Sequence, residues 1–537
     1  MFDGQDKKHH GAKQSNNTEK GFDRRQNQTI TIRRDKREKL LDKKRRMAGG
    51  DEHGGDSGAA VNMDPMAYDI TSNPALIPLE LLPQFVEMAR SEQQDYAFHG
   101  TLMIRKLLSV ESNPPIEEVV ATNVVPLFVH YMSLEAYPRL QFEAAWALTN
   151  IASGTAEHTH LVIEAGAVPL FISLLSSPDE DCREQGTWAI GNLGGEGDKC
   201  RDYVLDLGGM GPLLNLITSP NNKITLLRNA VWALSNLCRG KPQPKLEHVS
   251  IALPVLASLL NHHDDEVVVD AAWAISYISD GANDRIQAVL ESGVLARIIQ
   301  LLQAPTAAMQ TPAIRTIGNI ATGNDRQTQM VINSGGLPPL HFLLQHTKRA
   351  IKKETCWTLS NICAGHRDQL QAVINANLFP QLLKCIQAPE LEVKKEAVWC
   401  VANACSGGTK EQNRYLVSIG VVVPLCELLQ IFDPKILSVA LEALAGFLEF
   451  AEEEKALSNS PRNVVVDAIA ECGGIELIEK LQTHQNNDVY HNAVSILETY
   501  FVTEGVTGGN EVSAAAAGGF QFDPNAGSFG PNNGFSF

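Results

Sequence analysis

One short apolar motif keeps returning along this chain. WALTNIASG begins at Trp146, WAIGNLGGE at Trp188, WALSNLCRG at Trp232, WAISYISDG at Trp273, RTIGNIATG at Arg315, WTLSNICAG at Trp357 and WCVANACSG at Trp399. Successive tryptophans lie 42, 44, 41, 84 and 42 residues apart, and Arg315 fills the slot inside the long interval. A second apolar stretch follows each motif, such as EAGAVPLFISLL from 164 or NSGGLPPLHFLL from 333. A period near 42 in helical sequence punctuated by Gly and Pro predicts an armadillo- or HEAT-type solenoid. The expected fold is all-α: a right-handed superhelix of about ten repeats over 75–502, with disordered tails at both ends. Leu441 occupies the next slot, and weaker units around Ile104 and Val494 read as terminal caps.

Within the motif two stripes separate. Counting Trp as zero, positions −1, +2 and +6 are apolar or small, as in Ala145-Leu148-Ala152, Val231-Leu234-Cys238 and Cys356-Leu359-Cys363. That spacing is one buried helix face. Positions −3, 0 and +4 form the other: Glu143-Trp146-Asn150, Gln185-Trp188-Asn192, Asn229-Trp232-Asn236, Asp270-Trp273-Tyr277, Glu354-Trp357-Asn361 and Glu396-Trp399-Asn403. At about 100° per residue the second stripe lies nearly opposite the first. A single Trp of this kind would pack between repeats. Six at one phase read instead as an unburied ladder, which a monomeric protein avoids unless something binds it. Such a ladder suits an extended basic peptide. Asn amides can pair with peptide backbone, parallel Trp rings can receive Lys and Arg stems, and acidic groups select the charge. Tyr277 and Arg315 interrupt the ladder, and a cation there is expected to repel a basic ligand and split the array in two.

Charge changes the picture next. The chain of 537 residues has a formal net charge of −17, yet residues 1–50 hold 15 Lys and Arg against 7 Asp and Glu. A basic arm is joined to an acidic body. A phosphate backbone needs a basic surface, so nucleic acid is a poor ligand for the body, and a cationic partner is favoured. Residues 1–23 are polar, 47–74 are rich in Gly, Ser and Asp, and the end from about 505 is low-complexity; all read as disordered or flexible. The ten cysteines show neither CxxC pairs nor zinc spacing, so buried free thiols are expected. There is no apolar leader and no run of about 18 apolar residues.

The WxxxN ladder, the basic stretch RRQNQTITIRRDKREKLLDKKRR (24–46) and the C-terminal ECGGIELIEKLQTHQNNDVYHNAVSILETYF (471–501) together resemble the importin α (karyopherin α) family of nuclear-import adaptors. The resemblance implies no cofactor and a non-catalytic role. It implies that 24–58 is an arm that binds importin β, through Arg24, Arg25, Arg33, Arg34, Lys36 and Arg37, followed by a tether over 59–74 and, after the solenoid, a tail over 503–537. It implies a major site for basic nuclear-localisation signals at Trp146, Asn150, Gly154, Thr159, Gln185, Trp188, Asn192, Glu196, Trp232, Asn236 and Asp270. Glu196 stands where the family has an aspartate, one methylene shorter. A minor site is implied at Arg315, Asn319, Glu354, Trp357, Asn361, Glu396, Trp399 and Asn403. Lys43, Lys44, Arg45 and Arg46 would mimic a signal and occupy the chain's own groove until importin β takes the arm. The 28 residues from Arg46 to Pro74 would span roughly 30 Å as a flexible chain, enough for that return. The last repeats would engage an export receptor with Ran-GTP, and the protein would shuttle between cytoplasm and nucleus.

Two other classes compete. A junctional or signalling armadillo scaffold should line its groove with Lys and Arg instead of Trp and Asn. An enzyme should show a P-loop, HExxH or GxSxG, and none is present. GGEGDKC (194–200) reads as an inter-helix turn, and His262-His263 as a loop, not a metal site.

Overall fold

The computed structural model describes residues 64–69, 72–110, 113–458 and 462–501, and the described residues contain helices and turns without a strand. The arm cations (Arg24 to Arg46) and the tail over 503–537 lie outside the described residues. Ten long helices recur at the predicted period. They are α1 (Gln94–Leu107), α2 (Pro138–Ala152), α3 (Glu180–Glu196), α4 (Ile224–Cys238), α5 (Asp265–Ser279), α6 (Ala307–Ala321), α7 (Arg349–Cys363), α8 (Leu391–Gly407), α9 (Pro434–Ser458) and α10 (Asn487–Tyr500). Each contacts the next, so the long helices form one inner layer. Two short helices precede most of them, as Asp325–Asn333 and Leu337–Leu343 precede α7. The fold is an armadillo-repeat solenoid, as the period predicts.

Local chemistry sets the corners. The first short helix starts at a side-chain cap, with reciprocal capping boxes at Thr155/His158, Asn324/Gln327, His366/Gln369 and Thr409/Gln412. In three of these the capping Gln also donates to the preceding repeat: Gln327 to Asn283 O (2.9 Å), Gln369 to Asp325 O (2.8 Å) and Gln412 to Arg367 O (2.9 Å). The corner between the two short helices needs one left-handed residue. Gly166, Gly208, Gly293, Gly335, Gly420 and Gly473 provide it with φ of 72–85°, and Asn123 and Asn377 provide it with φ of 53°. Glycine has no Cβ to clash there, and Asn tolerates the region better than other side chains.

Along the −1, +2, +6 stripe Ala145, Leu148, Val231, Leu234, Cys238, Cys356, Leu359 and Cys363 are buried as predicted, and Ala152 is half-buried. They belong to one continuous core running from Ile77 to Ile496, because each repeat buries its apolar faces against its neighbours. All ten cysteines are free, eight of them buried. Among the described residues no His, Cys, Asp and Glu cluster could hold a metal, and no helix is long and apolar enough to cross a membrane.

Two expectations are corrected. The glycines at 194 and 195 are not a turn but the last turn of α3, with only Gly197 between helices. They are small because α4 lies against them: Arg239 donates to Gly195 O at 2.9 Å, and a Cβ on Gly194 would lie 3.0 Å from Leu237. The end of the supposed tether is also not free. Residues 64–69 and 72–77 form short 3₁₀ turns against α1, where His99 Nε2 lies 3.2 Å from Pro65 O and Lys106 Nζ donates to Ser72 O at 2.5 Å.

Two measurements check these corners. Gly335→Ala strains the backbone by about 1–2 kcal/mol with nothing nearby to clash, whereas Gly335→Asn loses clearly less; hydrogen exchange in the repeat of α7 reads both. Burial, helped by the neighbouring Arg105, pushes Lys106 from the ordinary 10.5 down to about 8. The native state therefore releases this proton earlier than the unfolded chain. Stability from this site rises with pH across that window, and a Lys106 resonance titrating near 10.5 would contradict the burial.

Candidate peptide-binding face

The predicted ladder is present along the inner layer, but it is not unburied. Trp357 is 3 % exposed, and Trp146, Trp188, Trp232, Trp273 and Trp399 are half-buried. The reason is the neighbouring repeat. A Cβ on Gly191 would lie 2.1 Å from Trp232 Cζ3, and one on Gly318 would lie 2.2 Å from Trp357 Cζ3. Each of these rings therefore sits on position +3 of the preceding long helix. That position is small in every motif: Thr149, Gly191, Ser235, Ser276, Gly318, Ser360 and Ala402. The regularity is legible in the sequence as a third recurring position, outside the two stripes.

The asparagines are struts as much as contacts. Asn236 Nδ2 donates to Gly191 O at 2.8 Å, Asn319 Nδ2 to Ser276 O at 2.9 Å and Asn403 Nδ2 to Ser360 O at 3.0 Å. The acceptor is again position +3 of the preceding helix. Asn150 reaches Ser109 Oγ at 3.0 Å. Asn192 and Asn361 depart from the pattern: the Asn361 amide nitrogen and both polar atoms of Asn192 are buried without a hydrogen-bond partner. A buried unpaired amide costs about 1–3 kcal/mol. Tyr277, which replaces Asn, stacks on Trp273 at 5.6 Å and 25°.

Nor are the rings parallel slots. Trp188 and Trp232 stand 6.0 Å apart, tilted by 46°. An alkyl stem between two rings needs about 7 Å, two contacts of 3.5–4 Å. The pair must open slightly to admit one.

The face itself shows how a cation is seated. Arg105 of α1 lies 4.2 Å above the half-buried Trp146 ring and pairs with the buried Glu143 through two bonds of 2.6 and 3.2 Å. Arg315 of α6 lies 6.0 Å from the Trp357 ring and pairs with Glu354 at 3.0 Å. In both, a guanidinium from one helix meets the Trp and the −3 acid of the next. This corrects the expected role of Arg315. Its side chain is only 14 % exposed and its charge is matched by Glu354. It interrupts the ladder by occupying a seat, not by repelling a ligand. The same Trp-plus-acid pairing recurs at Trp273 with Asp270 and at Trp399 with Glu396, both acids half-buried.

Between α2 and α3 lies a small pocket whose apolar wall is Ala152, Phe171, Ala189 and Leu193 and whose polar groups are Thr149, Thr159, Asn192 and Glu196. Thr159 is buried and its hydroxyl donates to Ala152 O at 2.8 Å, leaving its oxygen as an acceptor. Gln185 donates to Thr149 at 2.9 Å. Glu196 is exposed at the C-terminus of α3, where helix carbonyls also favour a cation. Gly154 lies in the exposed turn after α2, where a Cβ would meet His158 at 2.5 Å. Of the first-site residues, Trp146, Asn150, Gln185, Trp188, Asn192, Glu196, Trp232 and Asn236 lie on α2–α4, Gly154 in the turn after α2, Thr159 on the short helix Ala156–Glu164 and Asp270 on the adjoining α5; those from 315 to 403 lie on α6–α8.

Gly191→Ala tests the seating of Trp232. Alanine is the better helix former by about 1 kcal/mol, yet the clash makes this variant less stable and shifts its Trp fluorescence. Gly211→Ala, with nothing within 4 Å, has the opposite sign or none.

Comparison with known proteins follows the same division of the chain. Residues 8–102 match the importin beta binding domain, six segments between 112 and 406 match the armadillo/beta-catenin-like repeat, 224–278 match a HEAT-like repeat and 463–514 an atypical Arm repeat. The last accords with the expected C-terminal cap. Importin subunit alpha-2 of Arabidopsis thaliana is 50 % identical over 532 residues, 97 % of this chain and 96 % of that protein. Importin subunit alpha-B of Dictyostelium discoideum is 51 % identical over 495 residues, 92 % of each. An engineered protein of known structure superposes with a TM-score of 0.70 at 28 % identity, covering 78 % of this chain and 98 % of its own. The chain belongs to the importin α family of nuclear-import adaptors, whose members are not enzymes.

Proposed function

We propose that the inner face binds basic nuclear-localisation signals in two clusters, over α2–α5 and over α6–α8, and that the N-terminal arm links the loaded protein to importin β. The observation that carries this is the seat used twice within the fold, a guanidinium on a Trp ring paired to the −3 acid. A signal peptide brings the same cations to the repeats between. Each Trp contact contributes roughly 0.5–2 kcal/mol. In the first cluster a lysine is directed at Glu196, exposed at the C-terminus of α3 beside the small pocket of Thr149 and Thr159. Glu196 reaches farther than the family aspartate and sits at a helix end, so charge is kept while geometry changes.

Lys43, Lys44, Arg45 and Arg46 would compete for these seats. The arm is tethered, so its effective concentration is around millimolar. The docking of residues from 64 onward on α1 shortens the free tether. Importin β, by taking the arm, frees the face, and carrier binding and loading are positively coupled. Return to the cytoplasm by an export receptor with Ran-GTP, through the last repeats, completes the shuttle.

The test is the affinity of a fluorescent basic signal peptide at fixed salt for the full chain, for Lys44→Ala/Arg45→Ala and for that variant carrying Trp188→Ala/Trp232→Ala as well. The arm variant is expected to bind more tightly than the full chain. Loss of the two rings then weakens binding roughly ten- to a thousandfold. Unchanged affinity on losing the rings would refute the face. Equal affinity of the first two proteins would refute only the self-inhibition.

A further inference from the structure

At the N-terminal end of the inner face stands a cation that the ladder pattern does not contain. The slot taken by Trp in later repeats is Ile104 in α1, and it is buried. Arg105 follows it. Its guanidinium lies 4.2 Å from the centroid of the Trp146 ring, while Nε and Nη2 donate to the two carboxylate oxygens of Glu143 at 2.6 and 3.2 Å. Both side chains of this pair are at least nine-tenths buried. The ring is held on other sides too. Phe142 meets Trp146 near edge-on, with 5.5 Å between centroids at 66°. Asn150, one turn on from Trp146, donates to Ser109 Oγ of α1 at 3.0 Å, and the Ser109 hydroxyl donates to Arg105 O at 2.8 Å.

On its α1 side Trp146 is thus already covered by a cation, and the −3 acid beside it is already paired. A ligand cation meets two obstacles there. The guanidinium fork makes two charge-assisted bonds in a geometry that a lysine ammonium does not reproduce. It also belongs to the chain, so it takes the seat without the loss of translational freedom that a peptide suffers. Removing it leaves Glu143 a buried carboxylate without a counter-charge, which is strongly unfavourable until another cation arrives.

We propose that Arg105 is a specificity-determining residue of the peptide face: it closes the seat on the α1 side of Trp146 and so sets where the run of cations read by the first cluster stops. This role, which rests on the function proposed above, limits the length of the basic run without repelling the ligand, because Glu143 neutralises the guanidinium. With the Arg105 side chain cut back, the first cluster gains one seat, made of the uncovered ring and the released carboxylate.

The experiment uses the full chain carrying Lys44→Ala/Arg45→Ala as parent, and compares it with the same protein further changed to Arg105→Ala or to Arg105→Leu/Glu143→Gln. The second change keeps the seat closed with uncharged side chains. Three fluorescent peptides are titrated at fixed salt. One is an alanine-flanked Lys-Lys-Arg-Lys core; the others add one lysine beyond its N-terminal or its C-terminal end. The added lysine stands about three residues out, since that much extended chain spans the roughly 8–10 Å between neighbouring helices. In Arg105→Ala one of the two longer peptides is expected to gain roughly two- to thirtyfold beyond its gain in the parent. In Arg105→Leu/Glu143→Gln that extra gain is expected to vanish, and its persistence would overturn the proposal. So would identical gains in the parent and Arg105→Ala. An equal extra gain for both longer peptides would overturn it too, being the mark of one lost positive charge and not of a seat. Arg105→Gln keeps an amide donor for Glu143 and carries the same comparison if Arg105→Ala does not fold. If the core peptide binds none of these proteins, the peptide-binding face itself is refuted and the role of Arg105 falls with it.

Discussion

Everything on the inner face depends on how a Trp ring meets the helix before it. The ring lies over a small residue at position +3, as Trp232 lies over Gly191 and Trp357 over Gly318. Asn236, one turn after Trp232, donates to the carbonyl of that same Gly191, and Asn319 and Asn403 donate to the equivalent carbonyls of Ser276 and Ser360. Between α3 and α4 apolar contact and hydrogen bond thus converge on one point of the preceding repeat. That sets the spacing and rotation of successive repeats, because a Cβ at either glycine would displace the ring. The inner face is therefore not laid on top of a finished scaffold. The same side chains build both.

Five of the six rings are half-buried, and Trp357, 3 % exposed, is the exception. A fully exposed indole would be a liability, and a fully buried one would offer nothing to a ligand. Half-burial fixes the ring plane at low entropy and leaves an edge or face available. Electrostatics then sorts the seats. Arg105 and Arg315 fill two of them from within, each matched by a carboxylate. Filling a seat with a buried, paired guanidinium closes it without placing net charge in the groove. Outside its basic arm the chain is acidic, since the whole carries −17 although residues 1–50 hold 15 Lys and Arg against 7 Asp and Glu.

The solenoid adds its own constraint. Contacts run only between neighbours, so each corner must be correct locally. The left-handed Gly or Asn between short helices, the capping boxes and the Gln bonds to the preceding repeat are each small terms. Repeated along the array they hold its curvature, and with it the register of the ladder.

The sequence by itself determined the period, the number and phase of the long helices, the buried stripe and the identity of the ladder residues. Such features follow from local spacing, which a helix reads out directly at about 100° per residue. Tertiary structure decided what those residues touch. Asn236, Asn319 and Asn403 were legible as amides facing a ligand but not as struts, because their acceptors lie 43 to 45 residues away. Arg315 was legible as a cation but not as a neutralised one, because Glu354 reaches it only when α6 and α7 stack. The tilt between Trp188 and Trp232 and the docking of residues 64–69 and 72–77 on α1 are likewise products of neighbouring elements. A helical pattern fixes direction around one axis. It does not fix the distance or angle to the next axis, and that is where the chemistry of this face resides.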